Sequence, residues 1–306
     1  MPYAFLLPFG FLYVTFWAIP AIRGLSLSLH AGEAFSLGPF VGTQHYERLF
    51  FDERFQSAFA HTALFAGLAL ATVLPLSLIT ALLLQASWRR LRGLFRFILL
   101  LPGLTAPAAL AALLALALHP TAGLVNNFLL VPFGRPEIDW LRDDPWILPA
   151  LLLQATWRWS GPLALVLLAA LESIPRPYLD AAAIAGASHW TTFWRISLPF
   201  LAPVLLFGGV FIVWDAFSLS ADVHLLFLRG GVGINTDRLI VPYIFLAAFR
   251  FLRFGYATAI GYATAPILAL SLFAFLRYRR PADAAGGAER FAEGQRLHAR
   301  RVIDHG

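Results

Sequence analysis

Residues 171–203 read LESIPRPYLDAAAIAGASHWTTFWRISLPFLAP, and this stretch carries more structural instruction than any other in the chain. Pro175 and Pro177 stop the helix that precedes them, because proline has no N–H to donate and its ring clashes with the preceding turn. Asp180 is then expected to open a short helix, with its carboxylate near the positive end of the helix dipole. Ala181, Ala182, Ala183 and Ala185 are strong helix formers with a thin profile. Gly186 permits the left-handed turn that ends such a helix. Phe193 and Ile196 supply an apolar face, and Pro199 is expected to open the next long helix. The product is a compact helix–turn–helix between two apolar runs. It is too small and smooth to bind a nucleotide. The residues alone leave two readings open: an ordinary linker, or a peg shaped for a groove in another protein.

The surrounding sequence sets the solvent. Charged residues make up 13% of the 306 residues and hydrophobic ones 59%, against roughly 25% charged in a soluble domain. Crossing a bilayer core takes about 20 apolar residues in a helix. Runs of that kind cover about 3–22, 62–86, 97–118, 147–171, 200–228 and 254–276. The fourth is interrupted by Arg158 and the fifth contains Asp215 and Asp222. The expected fold is therefore an all-α membrane protein of about six transmembrane helices. The first run lacks a basic start and a small-x-small cleavage site, so it is expected to be retained as a helix.

All 23 basic residues are arginine, and there is neither lysine nor cysteine. A P-loop needs a lysine on the nucleotide phosphates, so this chain is no P-loop ATPase. Lysine Schiff bases, thiol nucleophiles and disulfides are excluded as well. The net charge of +6 does not point to nucleic acid, because the arginines sit at the ends of apolar runs, as orientation signals do. Arg89, Arg90, Arg92 and Arg96 crowd one short turn, and Arg277, Arg279 and Arg280 follow the last run. These clusters place both termini and the loop 172–199 in the cytoplasm. The tail, 281–306, is rich in Ala, Gly, Arg and Glu and is expected to be a loose amphipathic helix or disordered. The eight histidines show no zinc-hydrolase spacing, and no nucleophile elbow is present. No metal site is expected.

Asp180-Ala181-Ala182, Gly186-Ala187, Phe193, Ile196, Leu198-Pro199 and Pro203 resemble, in order and spacing, the cytoplasmic signature of permease subunits of binding-protein-dependent ABC importers. Asp180 stands where the family usually has Glu, and Ala185 where it usually has Asp. Trp157-Arg-Trp-Ser-Gly161, Ala170-Leu-Glu-Ser-Ile-Pro175, Asp222 through Gly230-Gly231, Pro242-Tyr-Ile-Phe and Phe254-Gly-Tyr-Ala257 look like spans four to six of the carbohydrate-uptake group, including maltose-type and glycerol-phosphate-type permeases. The resemblance covers roughly residues 60–276. It implies the type I importer permease fold in the inner membrane of a prokaryote. It makes the loop, with Ala183 among its residues, the coupling helix that docks into an ATPase subunit. The implied partners are a second permease, two ABC ATPases that bind Mg-ATP, and an extracellular solute-binding protein. The implied cargo is a sugar or sugar derivative, and this chain itself would hold no cofactor and catalyse nothing.

Charge within a span costs ~2.5–3.5 kcal/mol on insertion scales and marks pathways or pairs. Arg158 and Asp215 fall at comparable depth if spans four and five run antiparallel. A packing ion pair, direct solute contact and a water-filled cavity all remain open for them. Val213, Ala216, Phe217 and Ser220 form one stripe of span five. That stripe resembles the face lining the sugar site of maltose-type permeases, and Thr156, Arg158 and Trp159 resemble its counterpart on span four. Aromatic faces beside polar groups suit a pyranose. Each aromatic, Trp157, Trp159, Trp214 or Phe217, also reads as a packing residue. The alternatives carried forward are the same machinery moving a polyamine or phosphonate, an ion-coupled secondary transporter, and a membrane enzyme.

Overall fold

The computed structural model describes residues 6–33, 36–86, 89–141, 144–218 and 239–277. Ser220, Asp222, the remainder of the expected fifth run to 228, and the tail 281–306 lie outside the described residues. Regular structure among the described residues is helical, with two isolated β-bridges, His30–Phe40 and Glu33–Arg253. A chain in hydrocarbon must satisfy every backbone group internally, and helices do this within one segment.

In chain order the helices are α1 (Leu7–Ser28), α2 (Gln44–Phe51), α3 (Glu53–Ala86), α4 (Arg89–Leu104), α5 (Pro107–Ala117), α6 (Asp144–Glu172), α7 (Arg176–Ile184), α8 (His189–Ser218), α9 (Ile240–Arg250) and α10 (Phe254–Arg277). Four of them, α1, α3, α8 and α10, are long and apolar enough to cross a membrane unbroken. Counting each of two bent pairs as one span raises this to six. One pair is α4 with α5, bent by 95°, and the other is α6 with α7, bent by 69°.

Several expected boundaries move. The second run extends back to Glu53, because polar residues can continue a helix beyond the hydrocarbon. The third expected span, 97–118, breaks at Thr105–Ala106, where Ala106 takes an extended conformation and Pro107 starts a new helix. A residue before proline is pushed out of the α region, which accounts for the break. Pro199 does not open the fifth span. The helix begins at His189, capped by the Ser188 hydroxyl, which accepts the Thr191 N–H, a favoured N-cap arrangement. Phe193–Ser197 forms a wide π-helical turn just before Pro199, so the ladder loosens where proline withdraws its donor.

Three buried clusters, stacked along the helix axes, fix the directions of the helices. At one end, Ala58 and Phe65 of α3 meet Ile147 and Leu151 of α6, Ala216 and Phe217 of α8, and Tyr256 and Ile260 of α10. In the middle, Ala69 and Val73 meet Leu163 and Ile212. At the other end, Ala81 and Leu84 meet Leu167, Leu171 and Leu201. Thus α3 and α6 run parallel, and α8 runs against both. Small residues bring the helices close. Gly161 of α6 lies against the backbone of Leu99 on α4, where a Cβ would collide with the carbonyl. Close backbone approach through small residues is how helices associate in lipid, where no hydrophobic gain is available. Helix α1 buries almost nothing within the subunit. The Tyr262 hydroxyl ties it to α10 by donating to the Ala21 carbonyl.

Candidate functional site

At the end of the molecule marked by Glu172, the quoted stretch folds as a projecting helical pair. Pro175 is the N-cap of α7, with ψ 130°. Pro177 sits in the first turn, where a missing N–H costs nothing. The helix therefore starts at Arg176, and Asp180 lies in its second turn rather than opening it. Gly186 follows with φ +70° and open space around it, so its conformation, not crowding, requires glycine. The Gly186 N–H bonds to the Ala183 carbonyl, and the Ala187 N–H to that of Ala182, which closes the helix end.

The faces of this pair differ. Asp180, Ala181, Ala183 and Ile184 are exposed, with Ile184 at 88%. Ala182 is buried and packs against its own subunit. Leu179 and Ile196 seat the pair on the buried cluster around Leu168 and Leu201. Tyr178 and Phe200 meet edge to face at 5.5 Å. Phe193 and Leu198 are half-buried, while Pro199 is exposed. Trp190, Phe193 and Trp194 form a contiguous aromatic group beside the pair, and the two tryptophans are exposed. An ion pair, Arg96 to Glu172 at 3.3 Å, links α4 to the end of α6.

At mid-depth the structure gathers some of the expected pathway residues and separates others. Trp159 Nε1 donates to Asp215 Oδ2 at 2.8 Å, joining α6 to α8. The Arg158 guanidinium lies 4.8 Å from the centre of the Trp159 ring. Phe211 meets the same ring edge-on at 4.6 Å. Thr156 shares a 3.3 Å hydroxyl contact with Thr72 of α3, a residue without a sequence signal of its own. The described residues of the expected stripe, Val213, Ala216 and Phe217, do not line an open passage. Ala216 and Phe217 are buried in the core, with the Phe217 ring edge-on to Phe59 at 6.1 Å. Val213 faces an apolar groove with Leu70, Leu74 and Gly209. Helical spacing placed these residues on one face, but only packing decides that the face turns inward.

A second polar cluster, invisible to motif reading, lies at the opposite end, where α3 begins. Asp52 Oδ2 accepts from the hydroxyls of Tyr243 on α9, at 2.5 Å, and Tyr256 on α10. Asp52 Oδ1 accepts the backbone N–H groups of Arg54 and Phe55. Burial opposes ionisation of Asp52, but these four hydrogen bonds together outweigh it and hold the carboxyl below its ordinary range. Beside this cluster a cavity of about 720 Å³ is lined by Arg48, Asp52, Arg54 and Arg253, among others. Asp52 stands 191 and 204 residues from its two tyrosines, so no local pattern announces the contact.

Residues 73–280 match the family described as binding-protein-dependent transport system inner membrane component. The chain belongs to that family. Among its relatives, the lactose transport system permease protein LacF of Rhizobium radiobacter is 31% identical over 277 residues, covering 90% of this chain and 91% of LacF. The arabinooligosaccharides transport system permease protein AraP of Bacillus subtilis is 27% identical, over 85% of this chain and 82% of AraP. A chain of a bacterial ABC transporter involved in import of the acidic polysaccharide alginate superposes with a TM-score of 0.77 at 27% identity, covering 91% of this chain and 94% of that one. The protein is thus an ABC importer permease and an inner membrane component, with the importer permease fold.

Proposed function

We propose that this permease is one of two membrane subunits enclosing a passage for a saccharide, driven by separate ATPase subunits that seat on the α7–α8 pair. The observation that carries this reading is the projecting pair itself. Its exposed face holds Ala181, Ala183 and Ile184, and its base is locked into the core through Leu179 and Ile196. It is continuous with α8, which carries Asp215 to mid-depth. Movement of an ATPase groove against Ile184 would therefore be delivered to α6 and α8 rather than absorbed in a loose loop. Permeases of lactose and arabino-oligosaccharides, and an alginate importer, support a saccharide cargo. The family's dependence on a binding protein supports delivery of the solute by a separate extracellular protein.

The arginine clusters at 89–96 and from Arg277 onward support a cytoplasmic position for the peg and both termini. The Glu53 end then faces outward. Mg-ATP binds the ATPase partners, and alternation of the passage follows from their different affinity for ATP in its two states. Thr156, Arg158, Trp159 and Asp215 are the residues placed to meet solute. Val213 joins them only if α8 turns, and Ala216 and Phe217 only if the core opens. The test is uptake into proteoliposomes holding this chain, its partner permease, the ATPases and the binding protein. Saccharide uptake should require internal ATP. Uptake without ATPase subunits, or of polyamine or phosphonate alone, would overturn the reading.

A further inference from the structure

The outer end holds a concentration of charge that neither the passage nor the peg employs. Arg48, Arg54 and Arg253 come from three separate segments, α2, the start of α3 and the turn before α10, and all line the cavity of about 720 Å³. Asp52 shares the cavity but is not their counter-ion. Its two oxygens are occupied by the tyrosine hydroxyls and backbone N–H groups described above. No ion pair involves the three guanidinium groups among the described residues. Arg48 lies 5.4 Å from the centre of the Tyr256 ring, a cation–π contact that uses none of its N–H groups as hydrogen-bond donors to an oxygen. Glu53, exposed at the rim, is the one remaining acid in the lining. Next to the cavity the end of α2 presents Phe50 and Phe51, 77% and 85% exposed.

We infer that this cavity is a carboxylate-binding site, and that its occupant is an acidic side chain on the surface of the solute-binding protein. The inference rests on the reading that such a protein delivers the solute to this end. Guanidinium groups match carboxylates in a two-point geometry, and several of one sign around a concave wall focus the field on an incoming anion. Arginines beside exposed aromatics are the composition of an interface anchor, whereas the general surface of a protein is richer in other charged residues. The Asp52–Tyr243–Tyr256 lock holds the segments bearing the arginines in a fixed relation, so the site is built before the partner arrives. Occupation of the cavity would then press on the starts of α3 and α10; α3 runs through all three buried clusters to the peg end.

The test uses the assembled transporter in nanodiscs with the binding protein that supports its uptake. Affinity should fall at least tenfold between about 50 and 500 mM salt, since a contact dominated by charge is screened. Arg48→Gln, Arg54→Gln and Arg253→Gln should each weaken binding several-fold and flatten that salt dependence. In the unmodified transporter, phenylglyoxal should modify the three arginines, and the binding protein should protect them. This second readout holds even if a variant fails to assemble. Unchanged affinity in all three variants, or no protection, overturns the inference while leaving transport intact. Protection by 10 mM glucuronate but not by the binding protein overturns the proposed occupant. If the unmodified transporter shows neither binding nor stimulated uptake with any binding protein, the functional reading falls and this inference falls with it.

Discussion

Gly186 shows how much one residue can decide. Its φ of +70° with empty surroundings means that alanine would fit sterically yet strain the backbone, by about 1–2 kcal/mol. Gly186→Val should loosen the end of α7 and lower the yield of ATPase-bound complex, while the chain still inserts. Co-purification of the ATPase compared with membrane yield checks this. Trp159 carries the other telling contact. Trp159→Phe keeps the ring beneath Arg158 but removes the donor to Asp215, a hydrogen bond worth about 1 kcal/mol net, with about 1–3 kcal/mol more at stake where the acceptor is left buried and unsatisfied. Solute uptake should drop by more than assembly, and equal losses would assign the contact to packing alone. For Asp52 the sign follows from its lowered folded value. The unfolded chain, titrating near 3.8, binds more protons at acid pH. The carboxylate's contribution to stability is therefore fully present above that value and is lost as pH falls through the lower folded one. The melting temperature of Asp52→Asn should lie below that of the unmodified protein at pH 6, and the gap should narrow below about pH 4.

At the scale of elements, the sequence was most legible where chemistry is local. The prolines, the alanine run and Gly186 forecast a helix–turn–helix within 172–199, opened by Asp180, and the structure has the helix α7 and the start of α8 there. The helix starts at Arg176 rather than at Asp180, because proline stops a helix only from the interior, whereas in a first turn it is neutral. The burial of Ala182 was hidden, since alanine's propensity is the same on either face. The 95° break between α4 and α5 does not show in hydropathy, which averages across a bend, although Pro102 and Pro107 both signal it. The long-range features had no local signal at all. The tie from Asp52 to Tyr243 and Tyr256, and the inward turn of Ala216 and Phe217, depend on which helices become neighbours. One packing contact has a sharp consequence. Gly161→Leu would drive a side chain into the Leu99 backbone and should separate α4 from α6. Loss of the folded subunit in membranes, with Gly67→Leu at an open position tolerated, would confirm that close approach rather than glycine flexibility matters there.

Taken whole, the molecule is a stack of three buried clusters between two polar ends. The helices α3 and α6 run one way and α8 the other. The end bearing Asp52 is tied across three segments, and the end bearing Glu172 projects the α7–α8 pair. Among the described residues α3, α6 and α8 run through all three clusters, and two of them, α6 and α8, carry Trp159 and Asp215, so force applied at the peg reaches the mid-depth residues through packed helices. The chain contains no cysteine, and Ile184→Cys therefore introduces a single thiol at a position of the peg that is 88% exposed. Labelling that thiol with a membrane-impermeant maleimide in right-side-out and inverted vesicles is the most direct measurement. It should react only in inverted vesicles, and bound ATPase subunits should block the reaction. Reaction from the outside, or reactivity indifferent to the ATPases, would contradict the peg and the coupling built on it.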